Sequence, residues 1–440
     1  MKHIKWLFSF ILFFTGYQTA FTQKQLIPLT PAIKAEVVDS LSSILIKKYI
    51  YLDTAIKMSN RIKEQLNSGA YNTIANPDIF ARVLNADLQT VYSDLHMRIY
   101  YDACFEKALK TRSYMESVTR RMNFLQVAKQ KNYGFPDVRI LDGNIGYVSI
   151  TQFYDLNEQS IEVVKNVFSF LKNVNALIID IRENPGGEPD MVKYICSYFF
   201  KEKTHLNDYY DRHTSTNQYW TNPIASSAIF ALTPVYILVN NHTYSAAEEF
   251  AYDLQSLHRA TIIGQTTGGA AHWVSSNSIS NGFIGNIPFR KAINPVTGKN
   301  WEKTGVRPNV NIDEKNALNT ALATAYDYQI SISKDSAVIK PIKWFRVILN
   351  SKLHPFKTNT ATLKAYAGNY DGRLITLKKE QLYFTDTNGY SIGLIPISAT
   401  AFTFTNNDRQ LEFKKAHNGK IIALNFIYQD GKIENFTRLK

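Results

Sequence analysis

The chain has 440 residues, of which 45% are hydrophobic and 13% aromatic. This composition is typical of a folded protein of two or three domains and excludes general disorder. The formal net charge is +13, and much of the positive excess falls within residues 98–131. Since no nucleic-acid-binding motif accompanies this segment, we expect a solvated helical face there and no nucleic-acid partner.

The N-terminus has the pattern of a secretory signal peptide. Lys2 and Lys5 precede an apolar run over residues 6–14, and a small-residue site follows at Ala20. We predict a signal peptide over residues 1–22 and an exported protein that is periplasmic, outer-envelope or secreted. An uncleaved anchor is the alternative. No later stretch is apolar enough to cross a bilayer, so no stable membrane span is expected after cleavage.

Helical and then mixed patterns follow in chain order. Apolar residues recur at helical spacing in residues 35–49 and 77–92, which predicts an N-terminal helical domain over 23–95. From 96 to 330, short β-branched runs such as ALIIDI (176–181) alternate with helical patterns. This alternation predicts an α/β layered core of parallel strands covered on both faces. Sites in such cores form where loops leave the carboxyl ends of neighbouring strands.

The last part of the chain is predicted to be a linker over 331–360 and a small β-rich accessory domain over 361–440. Its turns contain Asp-Gly or Asn-Gly flanked by alternating apolar residues, which is typical of hairpins. Whether Cys104 and Cys196 pair is left open. No Cys/His group has the spacing of a zinc site, so neither a metal nor a cofactor is predicted.

Ser245 lies between an apolar run, PVYILV (234–239), and a helical pattern. One interpretation is a capping box with Glu248, in which Glu249 is only a helix-face residue. The other is a nucleophile at the mouth of a helix. A second strand–helix junction carries Gly186 and Gly187. If the two strands are neighbours, an N–H of Gly186 or Gly187 and the N–H of Ala246 would face one point and stabilise an oxyanion.

A serine nucleophile needs a base. No lysine lies between Ser245 and Arg290, so histidine is the candidate base. His96 stands in DLH, where the helical segment gives way to a strand, and His272 stands in TTGGAAH. Residue types alone leave both open.

Several motifs stand in one order: DLH, GNIGYVSITQF, ALIIDIRENPGG, TYSAAEEFA, IIGQTTGGAAH and NWEKTGVRPN. Together they resemble the tail-specific (C-terminal processing) serine peptidase family over about residues 31–330, in the branch related to interphotoreceptor retinoid-binding protein and the tricorn core. The lysine-dyad members carry T-x-G-K-G where this chain has TTGGAAH, which excludes that mechanism in its usual form.

The resemblance implies a crotonase-like core and a set of site residues. It implies Ser245 as nucleophile, His96 as base and Glu302 as the carboxylate that orients the imidazole. The oxyanion donors would be Ala246 with Gly186 or Gly187, and His272 is the reserve base.

The expected function is a secreted or periplasmic serine endopeptidase that acts on polypeptides through a Ser-His-Glu acyl-enzyme mechanism. The alternative is a non-proteolytic carrier of apolar, retinoid-like or fatty-acid-like ligands on the same fold. A third reading is an envelope-binding protein that uses the basic segment and the terminal β domain. A complete Ser/His/Glu set favours the hydrolase. Cleavage specificity and oligomeric state are not predicted.

Overall fold

The structure is a computed structural model that describes residues 29–111, 114–222, 228–404 and 409–439. The predicted signal peptide lies outside the described residues. The helices are α1 (Pro31–Lys48), α2 (Leu52–Asn67), α3 (Pro77–Val91), α4 (Ala103–Thr111), α5 (Tyr114–Gln130), α6 (Glu158–Phe170), α7 (Pro189–Cys196), α8 (Ala246–Ser256), α9 (Glu314–Ile332), α10 (Ser336–Leu353) and α11 (Thr360–Tyr366).

The strands of the first two-thirds of the chain are β1 (Arg98–Tyr101), β2 (Asp137–Leu141), β3 (Ile145–Ser149), β4 (Ala176–Asp180), β5 (His205–Asp211), β6 (Asn217–Trp220), β7 (Val235–Val239), β8 (Thr261–Gly264), β9 (His272–Ser280), β10 (Phe283–Ile293) and β11 (Val310–Asn311). The C-terminal strands are β12 (Gly368–Tyr370), β13 (Arg373–Lys378), β14 (Gln381–Thr385), β15 (Ser391–Pro396), β16 (Ala401–Phe404), β17 (Arg409–Lys415), β18 (Ile421–Tyr428) and β19 (Ile433–Thr437).

The N-terminal region is helical, as predicted. Asn76 accepts a hydrogen bond from the N–H of Ile79 and so caps α3, which begins with a proline whose missing N–H costs nothing there. The apolar faces of α1 to α3 form one core with residues of β9 and β10. This packing fixes the chain that leaves α3, and His96 lies on that chain.

The central sheet has the order β11-β8-β7-β4-β3-β2, with parallel pairs from β11 to β3 and an antiparallel β2. Alternate residues of its strands enter two different cores. Ile179 and Ile237 pack with α6, α7 and α8, whereas Ile178 and Leu238 pack with α9 and α10. The sheet is therefore covered on both faces, which is the mixed α/β arrangement that the β-branched runs predict.

A second sheet has the order β1-β10-β5-β6, and β9 also pairs with β10. All its pairs are antiparallel. Strand β1 starts two residues after His96, and β9 starts at His272. The long strand β10 thus brings two distant histidine segments to the same side of the core.

The segment predicted as a linker, 331–360, is different in the structure, because it contains helix α10. Ile342 and Leu349 on this helix are buried against the central sheet and α9. The prediction failed because lysines and Pro341 separate the apolar positions of α10 and give the stretch the composition of a linker, although those positions have helical spacing.

The C-terminal region forms an eight-stranded antiparallel sheet in chain order from β12 to β19. A bridge between Tyr370 and Arg438, with a hydrogen bond from the N–H of Leu439 to the carbonyl of Asn369, joins its two ends. The sheet closes around an aromatic-rich core. This agrees with the predicted small β-rich domain.

Both cysteines are free, Cys104 exposed and Cys196 buried. Within the described ranges, no helix combines the length and apolar character that a bilayer crossing requires.

Candidate active site

Two loops leave the carboxyl ends of the adjacent parallel strands β4 and β7 and meet there. The N–H of Tyr244 donates to the carbonyl of Asn184 at 3.0 Å, and the Thr243 hydroxyl donates to the carbonyl of Ile181 at 3.0 Å. These bonds hold the glycine loop after β4 against the turn that carries Ser245. Strands β4 and β7 are therefore paired neighbours, which is the condition for their two loops to meet at one site.

Ser245 occupies a sharp turn immediately before α8. Its backbone has φ +55° and ψ −121°, a conformation that side-chain-bearing residues adopt rarely and at a cost. The N–H of Ser245 donates to Oε2 of Glu248 at 2.9 Å. The same carboxylate, buried, accepts the N–H groups of Gly269 and Ala270. Glu248 is thus more than a helix cap, because it ties the Ser245 turn to the loop before β9.

His96 lies beside the serine. Its Nε2 is 3.0 Å from Oγ of Ser245, a hydrogen-bond distance suited to proton transfer. Desolvation of the ring, with the nearby His272 also contributing, lowers the pKa of His96 to about 4, against the opposing effect of Asp94. The ring is therefore neutral at neutral pH and can accept a proton.

Asp94 holds the His96 segment in place, and the sequence analysis did not select it. Its Oδ1 accepts the backbone N–H of His96 at 3.1 Å. Its Oδ2 accepts from the Tyr49 hydroxyl at 2.9 Å and lies 2.8 Å from Nδ1 of His272. Burial opposes ionisation of Asp94, but these hydrogen bonds and the His272 charge hold its pKa below the ordinary value. The only available signal was the aspartate of DLH.

His272, the reserve base, is not hydrogen-bonded to Ser245 in the described structure. Its Nδ1 faces Asp94, and its Nε2 lies 3.4 Å from the hydroxyl of Tyr51. The ring is nearly fully buried, with 2% of its surface exposed. Both ring nitrogens are therefore engaged in positioning contacts.

Glu302 enters the same cluster from the loop before β11. Its Oε2 accepts the N–H of Ala271 at 2.8 Å and lies 3.7 Å from Nδ1 of His272. The structure thus brings Glu302 to His272 and shows no hydrogen bond from Glu302 to the His96 ring among the described residues. Oε1 of Glu302 and Nδ1 of His96 are both buried and without a hydrogen-bond partner there. Burial raises the pKa of Glu302.

The backbone donors are distributed unevenly. The N–H of Gly186 donates to Oδ1 of its neighbour Asn184 at 2.8 Å and is occupied. The N–H groups of Gly187 and Ala246 have no acceptor among the described residues, and both residues line the cavity that contains Ser245 and His96. Of the candidate donors, Gly187 and Ala246 are the pair free to bind an oxyanion.

Asp94, His272 and Glu302 are also the described group whose geometry is compatible with a metal ion, since their ligand atoms lie within 4.8 Å of one another. However, Asp94 and His272 are already at hydrogen-bond distance, and Tyr49 donates to the same aspartate oxygen. We therefore interpret the group as a hydrogen-bonded positioning network.

The conformation of Gly187 gives a prediction about stability. Its φ is +137°, and a Cβ at this position would lie 1.9 Å from the carbonyl oxygen of Phe153. Gly187→Ala should lower the free energy of unfolding by about 3 kcal/mol or more, because it adds a backbone clash to an unfavourable φ. Urea unfolding followed by circular dichroism measures this change.

Gly298→Ala is the matched control. Gly298 has φ +64°, and no atom of the described residues lies within 4 Å of the position that a Cβ would take. Gly298→Ala should lower the free energy of unfolding by only about 1 kcal/mol, because it adds backbone strain without a steric clash. Equal losses in the two variants would show that the contact with Phe153 is unimportant.

Comparison with known proteins places these residues in a family context. The model of peptidase family S41 matches residues 144–312, and that of the N-terminal domain of peptidase S41 in eukaryotic IRBP matches residues 18–135. Ser245 and Glu302 lie within the first match and His96 within the second.

Two curated relatives illustrate the similarity. The chain is 31% identical over 153 residues to carboxyl-terminal-processing peptidase 2, chloroplastic, of Arabidopsis thaliana, which covers 31% of this chain and 26% of that protein. It is 24% identical over 174 residues to carboxy-terminal processing protease CtpB of Bacillus subtilis (strain 168), covering 39% and 34% respectively. The matches thus span only about a quarter to a third of these relatives.

Among solved structures, the tricorn protease aligns with a TM-score of 0.41 at 15% identity, covering 71% of this chain and 37% of that chain.

Proposed function

Because the chain belongs to peptidase family S41 and carries an N-terminal domain of the eukaryotic IRBP type, we propose that it is an exported serine endopeptidase with a crotonase-like core. The observation that carries the proposal is the 3.0 Å contact between His96 Nε2 and Ser245 Oγ. A carrier of apolar ligands has no need for a neutral imidazole at hydrogen-bond distance from a serine on a strained turn.

The reaction starts with attack on a peptide carbonyl. Oγ of Ser245 bonds to the carbonyl carbon while His96 Nε2 takes the hydroxyl proton. The carbonyl oxygen becomes an oxyanion and receives the N–H groups of Ala246 and Gly187. His96 then gives its proton to the leaving amine, which departs and leaves an acyl-enzyme. His96 then takes a proton from a water molecule, whose oxygen attacks the ester carbonyl. The bond from the carbonyl carbon to Oγ breaks, His96 returns the proton to Oγ of Ser245, and the carboxylic acid product leaves.

Glu302 is the proposed carboxylate partner of the imidazolium. In the free protein it acts through neighbours, since it lies beside His272, which contacts Asp94, which in turn accepts the N–H of His96. Two complementary polar atoms, His96 Nδ1 and Glu302 Oε1, are buried without partners. Leaving such atoms unpaired is unfavourable, so a small closure that joins them is favoured when His96 becomes charged.

The proposal is tested by reacting the purified mature protein with a fluorophosphonate probe and locating the label by mass spectrometry. We expect one phosphonylated serine, Ser245, and cleavage of internally quenched peptides that the probe abolishes. Pre-unfolded protein is the control, because an unactivated serine hydroxyl does not react. Absence of both labelling and cleavage in the folded protein would refute the peptidase and favour the carrier.

A further inference from the structure

The cavity that Ser245 lines has a volume of about 310 Å³. Gly187 and Ala246, the proposed oxyanion donors, line it together with Trp273, Trp301 and Glu249. A carbonyl bound at those donors would place the side chain of its own residue, the P1 residue, in this cavity. This step rests on the proposed peptidase function.

Glu249 is the feature of the cavity that the proposed mechanism does not use. Only 4% of its surface is exposed. Its Oε1 accepts from the Tyr209 hydroxyl and, at 3.4 Å, from Asn207. The hydrogen bonds of the described residues engage Oε1 and leave Oε2 without a donor, and Glu249 lines the cavity. An acceptor in this state is a site for a donor supplied by a ligand.

Glu249 lies beside a second buried carboxyl group. One helical turn further on, Asp253 is fully buried and accepts from the amides of Asn207 and Asn294. No Lys, Arg or His forms an ion pair with Glu249 or Asp253 in the part of the chain that the structure describes. Burial raises the pKa of Glu249 to about 7. A cation that entered the cavity would remove the cost of ionising this group.

The remaining walls suit the stem of a long cationic side chain. Trp273 and Trp301 offer aromatic surface that attracts cations and packs against methylene groups. Glu188 adds a second carboxylate to the lining. Arg290 stacks on Trp273, 5.4 Å from the ring centroid, but it is absent from the cavity lining and faces Asp211 at 3.9 Å. No lysine or arginine of the described residues lines the cavity.

We propose that Glu249 is the specificity-determining residue of this cavity and that the substrates are polypeptides with lysine or arginine at P1. The ammonium or guanidinium group would bind the free oxygen of Glu249, and the tryptophans would hold the aliphatic stem.

The test uses internally quenched peptides identical except at P1, which is lysine, N-acetyl-lysine or norleucine. Acetylation keeps the length and removes the charge, so the kcat/KM ratio of lysine to acetyl-lysine isolates the ionic contact. We expect a ratio of about 30 or more for the wild type, as for a charge pair in a desolvated pocket. In Glu249→Gln the ratio should fall toward 1, while the fluorophosphonate still labels Ser245.

Glu183→Gln is the matched control, because Glu183 is an exposed acid on the same glycine loop and does not line the cavity. It should leave the ratio unchanged. Circular dichroism and thermal unfolding test whether Glu249→Gln is folded. If it is not folded, the wild-type ratio of lysine to acetyl-lysine cleavage still tests the preference for a charged P1 residue.

Each other outcome overturns the inference. Equal cleavage of the lysine and acetyl-lysine peptides by a labelled wild type would refute it and leave the peptidase standing. An undiminished ratio in folded Glu249→Gln would refute the assignment to Glu249. Absence of cleavage and of labelling would refute the peptidase itself, and the specificity with it.

Discussion

Ser245→Ala is expected to lower kcat for peptide cleavage by about 10⁴-fold or more, because the acyl-enzyme cannot form without the hydroxyl. Fluorophosphonate labelling should disappear completely. A residual rate above the uncatalysed reaction is expected, since the N–H groups of Gly187 and Ala246 and the substrate-binding contacts remain. Steady-state kinetics with a quenched peptide measures the loss.

The fold should survive this change. The bond that fixes the turn runs from the backbone N–H of Ser245 to Glu248, and alanine retains it. Ser256→Ala, at the other end of α8, is the matched control and should leave kcat unchanged. If Ser245→Ala kept a tenth of the wild-type rate after repurification, Ser245 would not be the nucleophile.

Most of the fold could be predicted from local sequence patterns. Buried parallel strands produce short runs rich in β-branched and other apolar residues, and β4 and β7 have such runs and are buried over their whole length. The helices of the N-terminal region follow from caps such as Asn76 and from helical spacing. Helix α10 was missed because its apolar positions are separated by lysines and a proline, Pro341, which give the stretch the composition of a linker.

Only part of the candidate site could be predicted from local patterns. The position of Ser245 follows from its place between a strand and a helix, which is local information. The engagement of His272 with Asp94, and the position of Glu302 beside His272 instead of the His96 ring, depend on distances between segments about 180 to 210 residues apart along the chain, as in the 2.8 Å contact of Asp94 and His272. Periodicity carries no such distances. The resemblance supplied residue identities and paired Glu302 with His96, whereas the structure places Glu302 beside His272.

Glu248 shows why one motif can support two interpretations. A capping glutamate and a nucleophile are compatible, because the carboxylate binds the backbone N–H of Ser245 and leaves the hydroxyl to His96. Burial raises the pKa of Glu248 to about 7, against the hydrogen bonds that it accepts. The capping box and a serine hydroxyl available to His96 are therefore compatible at this turn.

His96→Gln is expected to lower kcat/KM by about 10³-fold or more at neutral pH, because no other described side chain that can take a proton lies at hydrogen-bond distance from Oγ of Ser245. With the norleucine peptide, whose binding does not need ionised Glu249, kcat/KM of the wild type should rise with pH through about 4 and then level off, since His96 acts in its neutral form and its pKa is lowered to about 4. A pH–rate profile measures this limb.

The free energy of unfolding should change with pH between 6.5 and about 4. The unfolded chain binds a proton at His96 near the ordinary pKa of 6.5, whereas the folded protein binds it only near 4. Between these values the unfolded state holds more protons, so the contribution of His96 to the free energy of unfolding is complete above pH 6.5 and is lost as the pH falls toward 4. His96→Gln should flatten this part of the stability–pH curve.

The two kinetic profiles together test the role of Glu302. The profile of kcat/KM reports the free enzyme, and that of kcat reports the substrate complex. If substrate binding joins Glu302 Oε1 to His96 Nδ1, the carboxylate stabilises the imidazolium and raises the pKa of His96 in the complex. The acid limb of kcat should then lie at higher pH than that of kcat/KM. Glu302→Gln should bring the two limbs together, whereas a separation that persists in this variant would assign the carboxylate role to Asp94.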